Sequence, residues 1–107
     1  MITEISIEDL PGEEFAVQGL RDLASGVESV GALLIQIGAS RLRRAGVAVP
    51  EIPAHAIDAE LRLYELLEAQ DPSTAYSQYS AWLNRLSRFC HAVENRSFLL
   101  SQRAASS

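Results

Sequence analysis

Lysine is absent from this sequence of 107 residues, and all nine positive charges are arginines. An arginine-favouring codon bias in a GC-rich genome accounts for that absence without any functional demand. Cysteine occurs once, at Cys90, which excludes an internal disulfide and leaves no CxxC pair for zinc or thioredoxin-like chemistry. Long hydrophobic runs are missing too. The longest, Val30 to Ala39, includes Gln36 and covers about half of the roughly 20 residues a membrane helix needs. No basic segment leads into an apolar run at Met1 to Glu4, so no secretory signal is visible, and the expected setting is cytoplasmic, without membrane association. Gly26, Gly31 and Gly38 fall at helical rather than loop spacings, which argues against a phosphate-binding loop. There is no ExxH repeat of the di-iron type, and no further ligand follows the His55 and Asp58 pair at metal-binding spacing. Neither a metal nor another cofactor is expected.

What is present is a globular composition, with 48% hydrophobic and 21% charged residues, enough for one core and too short for a second domain. The expected organisation is a single helical domain over 1–107, with a flexible lead-in at 1–12 and a flexible tail at 101–107. The formal net charge of −5 disfavours general binding to nucleic acid. That charge is arranged in blocks. Residues 1–28 hold seven acids against Arg21, and 29–50 hold three arginines and no acid. Residues 51–71 hold six acids against Arg62, and 72–107 hold four arginines against Glu94. Blocks of opposite sign are expected to meet, within one molecule or between copies.

Turn and cap residues divide the chain into four helical segments. Glu13 and Glu14 favour a helix start after Pro11 and Gly12, and the first helix should run to Ser25 on a stripe of Phe15, Ala16, Leu20, Leu23 and Ala24. Ser25 and Glu28 fit a capping box, so a second helix is expected from Val27 to Ala45, with a kinked continuous helix as the alternative. This is the most apolar segment. Gly31 and Gly38 lie one heptad apart on one side of it, each costing about 1 kcal/mol of propensity, which points to close backbone packing. Gly46 should stop it. The segment from Gly46 to Pro53 reads as extended. Pro53 then opens a third helix to Gln70, burying Ile57, Leu61, Tyr64 and Leu67, with Leu63 and Leu66 widening that face. Asp71 and Pro72 end it and supply the N-cap and first residue of a fourth helix. There Tyr76, Tyr79, Leu83, Leu86, Cys90 and Val93 form a 3-4 stripe, which Trp82 and Phe89 widen beyond a two-helix contact. The pattern decays from Asn95, although Phe98, Leu99 and Leu100 could dock a last turn before the tail from Ser101. Ile2, Ile5 and Ile7 could form a short strand, but no partner run exists. The fold class implied is all-α, a small four-helix bundle-like domain of antiparallel helices with short turns.

Three groups of residues are candidates for function. Tyr76, Tyr79, Trp82, Leu83, Leu86 and Phe89 offer more apolar surface than three short neighbours would cover, which points to a homodimer or another protein partner. Arg41, Arg43 and Arg44 could contact phosphate, as in a regulatory protein; otherwise they complement the end of a helix dipole. Arg85 and His91 match the R-x(4–6)-H spacing of HEPN-type ribonucleases, small helical proteins that often dimerise around their site. That resemblance implies an arginine holding the scissile phosphate and a histidine handling the 2′-hydroxyl proton. The position after the arginine, usually polar in that family, is Leu86 here, and a continuous helix would set the pair about 240° apart. Asn84, Arg88, His91 and Asn95 form a polar group along one side of the same helix. Glu60, Glu65 and Glu68 could pair with Arg85 or Arg88 across an antiparallel turn. Cys90, on the apolar stripe, reads as a small buried side chain. The leading expectation is a non-catalytic interaction or adaptor module that self-associates; a HEPN-like ribonuclease, or its inactive relative, is the alternative.

Overall fold

A computed structural model describes residues 5–53 and 57–105, and every regular element among them is a helix. These are α1 (Glu13–Ala24), α2 (Val30–Arg44), α3 (Ala59–Gln70) and α4 (Ala75–Ala105). They pack as a small all-α bundle. Gly19 of α1 lies against Gly31 and Ile35 of α2, as an antiparallel hairpin requires, and Tyr64 of α3 meets Tyr79 of α4 across a second hairpin. Gly38 of α2 faces Leu86 and Cys90, and Arg41 meets Glu94, so α2 and α4 run parallel.

The central helix is α2. It contacts α1, α3 and α4, and four consecutive residues, Ala32 to Ile35, are buried. A helix apolar on all sides must be surrounded. Around it pack Ala16 and Leu23 from α1, Leu63 and Leu67 from α3, and Leu86, Phe89, Cys90 and Val93 from α4. Phe15 sits edge-on to both Trp82 (ring centroids 6.0 Å apart) and Phe89 (5.5 Å), joining α1 to α4.

Close approach to α2 requires missing side chains. A Cβ on Gly19 would collide with the Gly31 carbonyl oxygen and lie 2.6 Å from its carbon, so the α1 and α2 backbones touch directly. The expectation of close packing at Gly31 and Gly38 therefore holds, with α1 at the first and α4 at the second.

Both ends of this hairpin close in the same way. After α1 the Gly26 N–H donates to the Leu23 carbonyl and the Val27 N–H to that of Asp22; after α2 Gly46 and Val47 repeat the pattern on Arg43 and Leu42. Gly26 (φ 75°) and Gly46 (φ 103°) supply the left-handed residue that this closure needs. The first closure moves the start of the second helix. Residues through Val27 complete the end of α1, so α2 begins at Val30 rather than Val27, and the two helices are not continuous. Ser29, not Ser25, caps it, accepting from the Ala32 N–H while donating to Asp22 Oδ2 at 2.7 Å.

The later boundaries also differ from expectation. Helix α3 starts at Ala59, not Pro53, directly after Asp58, whose left-handed backbone (φ 54°) is incompatible with a helix running through it. Helix α3 thus begins 15 residues after α2 ends, more than a short turn would take. Val47 is buried, and Val49 and Ile52 pack against the core. Helix α4 starts at Ala75, not Pro72, because Asp71 accepts from the Ser73 N–H (3.1 Å), Ser73 Oγ (2.7 Å) and Thr74 Oγ1 (2.9 Å), forming a local turn. These bonds, the Ser73 hydroxyl first, hold the Asp71 carboxyl below its usual range. At its other end α4 continues to Ala105, past the expected decay at Asn95. Residues 5–12, expected to be flexible, lie on the bundle without forming a strand. The Ile5 N–H donates to the Gly46 carbonyl, Arg96 donates to Ser6, and Ile5, Ile7 and Leu10 pack on the core.

Gly19→Ala should lose about 1–3 kcal/mol of stability, since backbone cannot yield as a side chain does. In Gly38→Ala the new Cβ would meet the mobile ends of Leu86 (3.1 Å) and Cys90 (3.3 Å), and gained helix propensity of about 1 kcal/mol offsets the strain. Urea unfolding followed by circular dichroism should therefore rank Gly19→Ala well below Gly38→Ala, and equal losses would contradict the backbone contact.

Candidate functional site

The three arginines at the end of α2 diverge. Arg41 forms a forked pair with Glu94 of α4, its Nε donating to Oε2 at 3.0 Å and its Nη2 to Oε1 at 2.7 Å. That bonding holds the Glu94 carboxyl below its usual range, with the charges of Arg41, His91 and Arg44 adding to the effect, and pushes the Arg41 guanidinium up. Arg43 turns to the Pro50 carbonyl at 2.9 Å. Arg44 is exposed. No convergent anion patch results.

Helix α4 is unbroken between Arg85 and His91, so the second lies about 240° further round the axis, about 120° by the short way, and the two do not share a face within one chain. Arg85 instead lies over the Trp82 ring, 4.8 Å from its centroid. Asn84, Arg88, His91 and Asn95 are all exposed and form a solvated flank. His55 lies outside the described residues; among those described, no group of three or more His, Cys, Asp or Glu could hold a metal ion. Cys90 is buried, and burial pushes its thiol up, away from reactivity. Among the described residues no helix is long and apolar enough to cross a membrane.

The six apolar candidates on α4 separate by depth. Leu86 and Phe89 belong to the core and offer no outer surface, whereas Tyr79, Trp82 and Leu83 are half-buried and Tyr76 is exposed. The stripe that is buried is Ala75, Leu86, Phe89, Cys90 and Val93. A straight helix drifts about 20° per heptad against a strict seven-residue repeat, which carries Tyr76 off the seam drawn from the far end.

Two apolar surfaces remain. Toward the end of α4, Phe98, Leu99 and Leu100 are 48–59% exposed. Near its start, Ile37, Asp58, Ala59, Glu60, Leu61, Tyr64, Tyr76 and Tyr79 line an open groove of about 770 Å³ between α3 and α4. Ile57 and Leu61 are 67% and 55% exposed, against the expectation that they face the core; α3 buries Leu63 and Leu67 instead. Ile57 precedes the helix, so its place in the 3.6-residue pattern is lost. In the groove Tyr64 and Tyr79 stand nearly perpendicular (85°) with centroids 5.6 Å apart. Partial burial, then Glu60 and Tyr76 nearby, holds the Tyr79 phenol above its usual range. It therefore stays protonated.

Arg62 is a residue whose position the sequence did not foretell. It pairs with Glu28, donates to Gln36 Oε1 at 3.1 Å, and donates to the Ile57 carbonyl at 2.6 Å, tying the start of α3 to α2. Its isolation as the one base in an acidic block was the available signal.

The side chains of Arg41 and Glu94 are 38% and 41% exposed, so their pair is worth at most about 1 kcal/mol. Because the Glu94 carboxyl is lowered in the folded state, its contribution is present above the ordinary glutamate range and lost as pH falls through the lowered value. Glu94→Gln should thus be less stable than the parent by up to about 1 kcal/mol at neutral pH. The gap should close in acid, as measured by urea unfolding across pH; a gap unchanged at pH about 2 would assign the loss to packing.

No family model, curated protein or solved structure matches the chain.

Proposed function

We propose that the chain is a non-catalytic helical interaction module that self-associates through the end of α4. The observation that carries this reading is the exposure of three consecutive large apolar residues, Phe98, Leu99 and Leu100. Arg41 pairs with Glu94, so the last residue of the parallel α2, Arg44, falls opposite about residue 97. Helix α4 runs on beyond that point to Ala105. Consecutive helix residues point in directions about 100° apart, so these three side chains spread over about 200° of the helix, more than one docking face within the chain would need. A second copy of the same helix end supplies a matching surface, as a two-fold contact requires. The core position of Leu86 and Phe89 moves the contact surface away from the middle of α4.

Such a contact is at the small end of protein interfaces, so the dimer should be concentration-dependent. Because it is apolar, 1 M salt should leave it in place. Light scattering should show Phe98→Glu with Leu99→Glu reduced to a monomer whose thermal unfolding stays within a few degrees of the dilute parent, since neither side chain is in the core. A parent that is monomeric at every concentration would refute the module's self-association. A dimer untouched by the double substitution would refute its placement.

A further inference from the structure

We propose that the groove between α3 and α4 is a binding site for an alkylated ammonium group. Three tyrosines contribute to its lining, and two of them, Tyr64 and Tyr79, pack edge to face with ring centroids 5.6 Å apart, forming one aromatic corner of the groove. The third, Tyr76, is 72% exposed, so its ring is not committed to the core. Ile37, Ala59 and Leu61 add apolar surface, which suits the methyl groups of a substituted ammonium better than a hydrated metal ion.

Among the described residues, the charge lining the groove has one sign. Asp58 and Glu60 line it, and among the described residues no basic side chain does. An anion would be repelled, and a neutral apolar ligand would leave the carboxylates unused. A cation held against aromatic faces gains about 0.5–2 kcal/mol, more as water is excluded, and nearby carboxylates add a longer-range attraction. The volume of about 770 Å³ lies within the range of small-molecule sites and exceeds a single trimethylammonium group, leaving room for the chain that carries it. The wall is held in place from behind. Arg62, outside the groove lining, donates to the Ile57 carbonyl at 2.6 Å, next to the left-handed Asp58 that opens α3.

The site does not depend on the self-association proposed above. Tyr76 and Phe98 are 22 residues apart on one helix, roughly 33 Å. The test is an NMR titration of the 15N-labelled protein with choline, beside 3,3-dimethyl-1-butanol, its neutral counterpart of the same shape. Saturable shifts confined to Ile37 and its neighbours, residues 57–64 and residues 76–80 are expected with choline, at least about fivefold weaker with the alcohol. Tyr76→Ala and Glu60→Gln, both at exposed positions, should each weaken choline binding about threefold or more, while Tyr79→Phe, which keeps the ring, should not. The Phe98→Glu, Leu99→Glu protein should bind as the parent does, which separates failure here from failure of the dimer. A peptide bearing trimethyllysine distinguishes the source of the cation. Tighter binding than choline places it on a polypeptide, and equal or weaker binding places it on a free small molecule. No saturable shift up to about 0.1 M choline, equal affinity for the alcohol, or unchanged binding in Tyr76→Ala would each overturn the assignment.

Discussion

The contact of Gly19 with Gly31 sets the spacing of the bundle. With no side chain between them, α1 lies on α2 at the distance of backbone atoms, which buries Ala16 and brings Phe15 to the far side, where Trp82 and Phe89 receive it. Gly38 then admits Leu86 and Cys90 of α4 to the same helix. In a regular up-and-down bundle α2 and α4 would sit on a diagonal. Here the glycines let them touch, and the bundle is flattened around α2. The flattening bears on function, because α3, packed at one edge, leaves Leu61 and the ring of Tyr76 outside the core and opens the groove.

The charge blocks act in a way their totals conceal. Among the described residues, two ion pairs that cross between segments are made by the exceptions. Glu94 is the sole acid of the last block and meets Arg41; Arg62 is the sole base of the third and meets Glu28. Glu60, Glu65 and Glu68 form no ion pair with Arg85 or Arg88 among the described residues. A lone opposite charge has a fixed geometric target on the neighbouring helix, whereas like charges along an exposed face are satisfied by water. In these two pairs the minority charge of a block marks helix registry.

Local chemistry was readable from the sequence wherever it acts within a few residues. The closures at Gly26 and Gly46, the start of α1 at Glu13, the apolar character of α2 and the buried Cys90 all follow from short-range rules. The starts of α3 and α4 did not, since a proline permits a helix start without requiring one. At Asp71 the carboxylate found Ser73 and Thr74 closer than the first turn of a helix. The candidate groove was hidden for a different reason. Tyr64, Tyr76 and Tyr79 fit an apolar stripe, and whether such a ring faces the core or the solvent depends on which flank the neighbouring helix covers. Arg41 looked like one of three anion ligands because its partner lies 53 residues away.

The parallel contact of α2 with α4 also orders the assembly of the chain. Gly19 and Gly31 are separated by 12 residues, and Tyr64 and Tyr79 by 15, so each hairpin closes a short loop. Joining Arg41 to Glu94 closes one of 53 residues, at an additional entropic cost of roughly 1 kcal/mol. Sequence separation thus favours contacts within each hairpin over the docking of the two through Gly38. The described part of the connector between these halves, residues 45–53, is fastened at Val47, buried beside the end of α2.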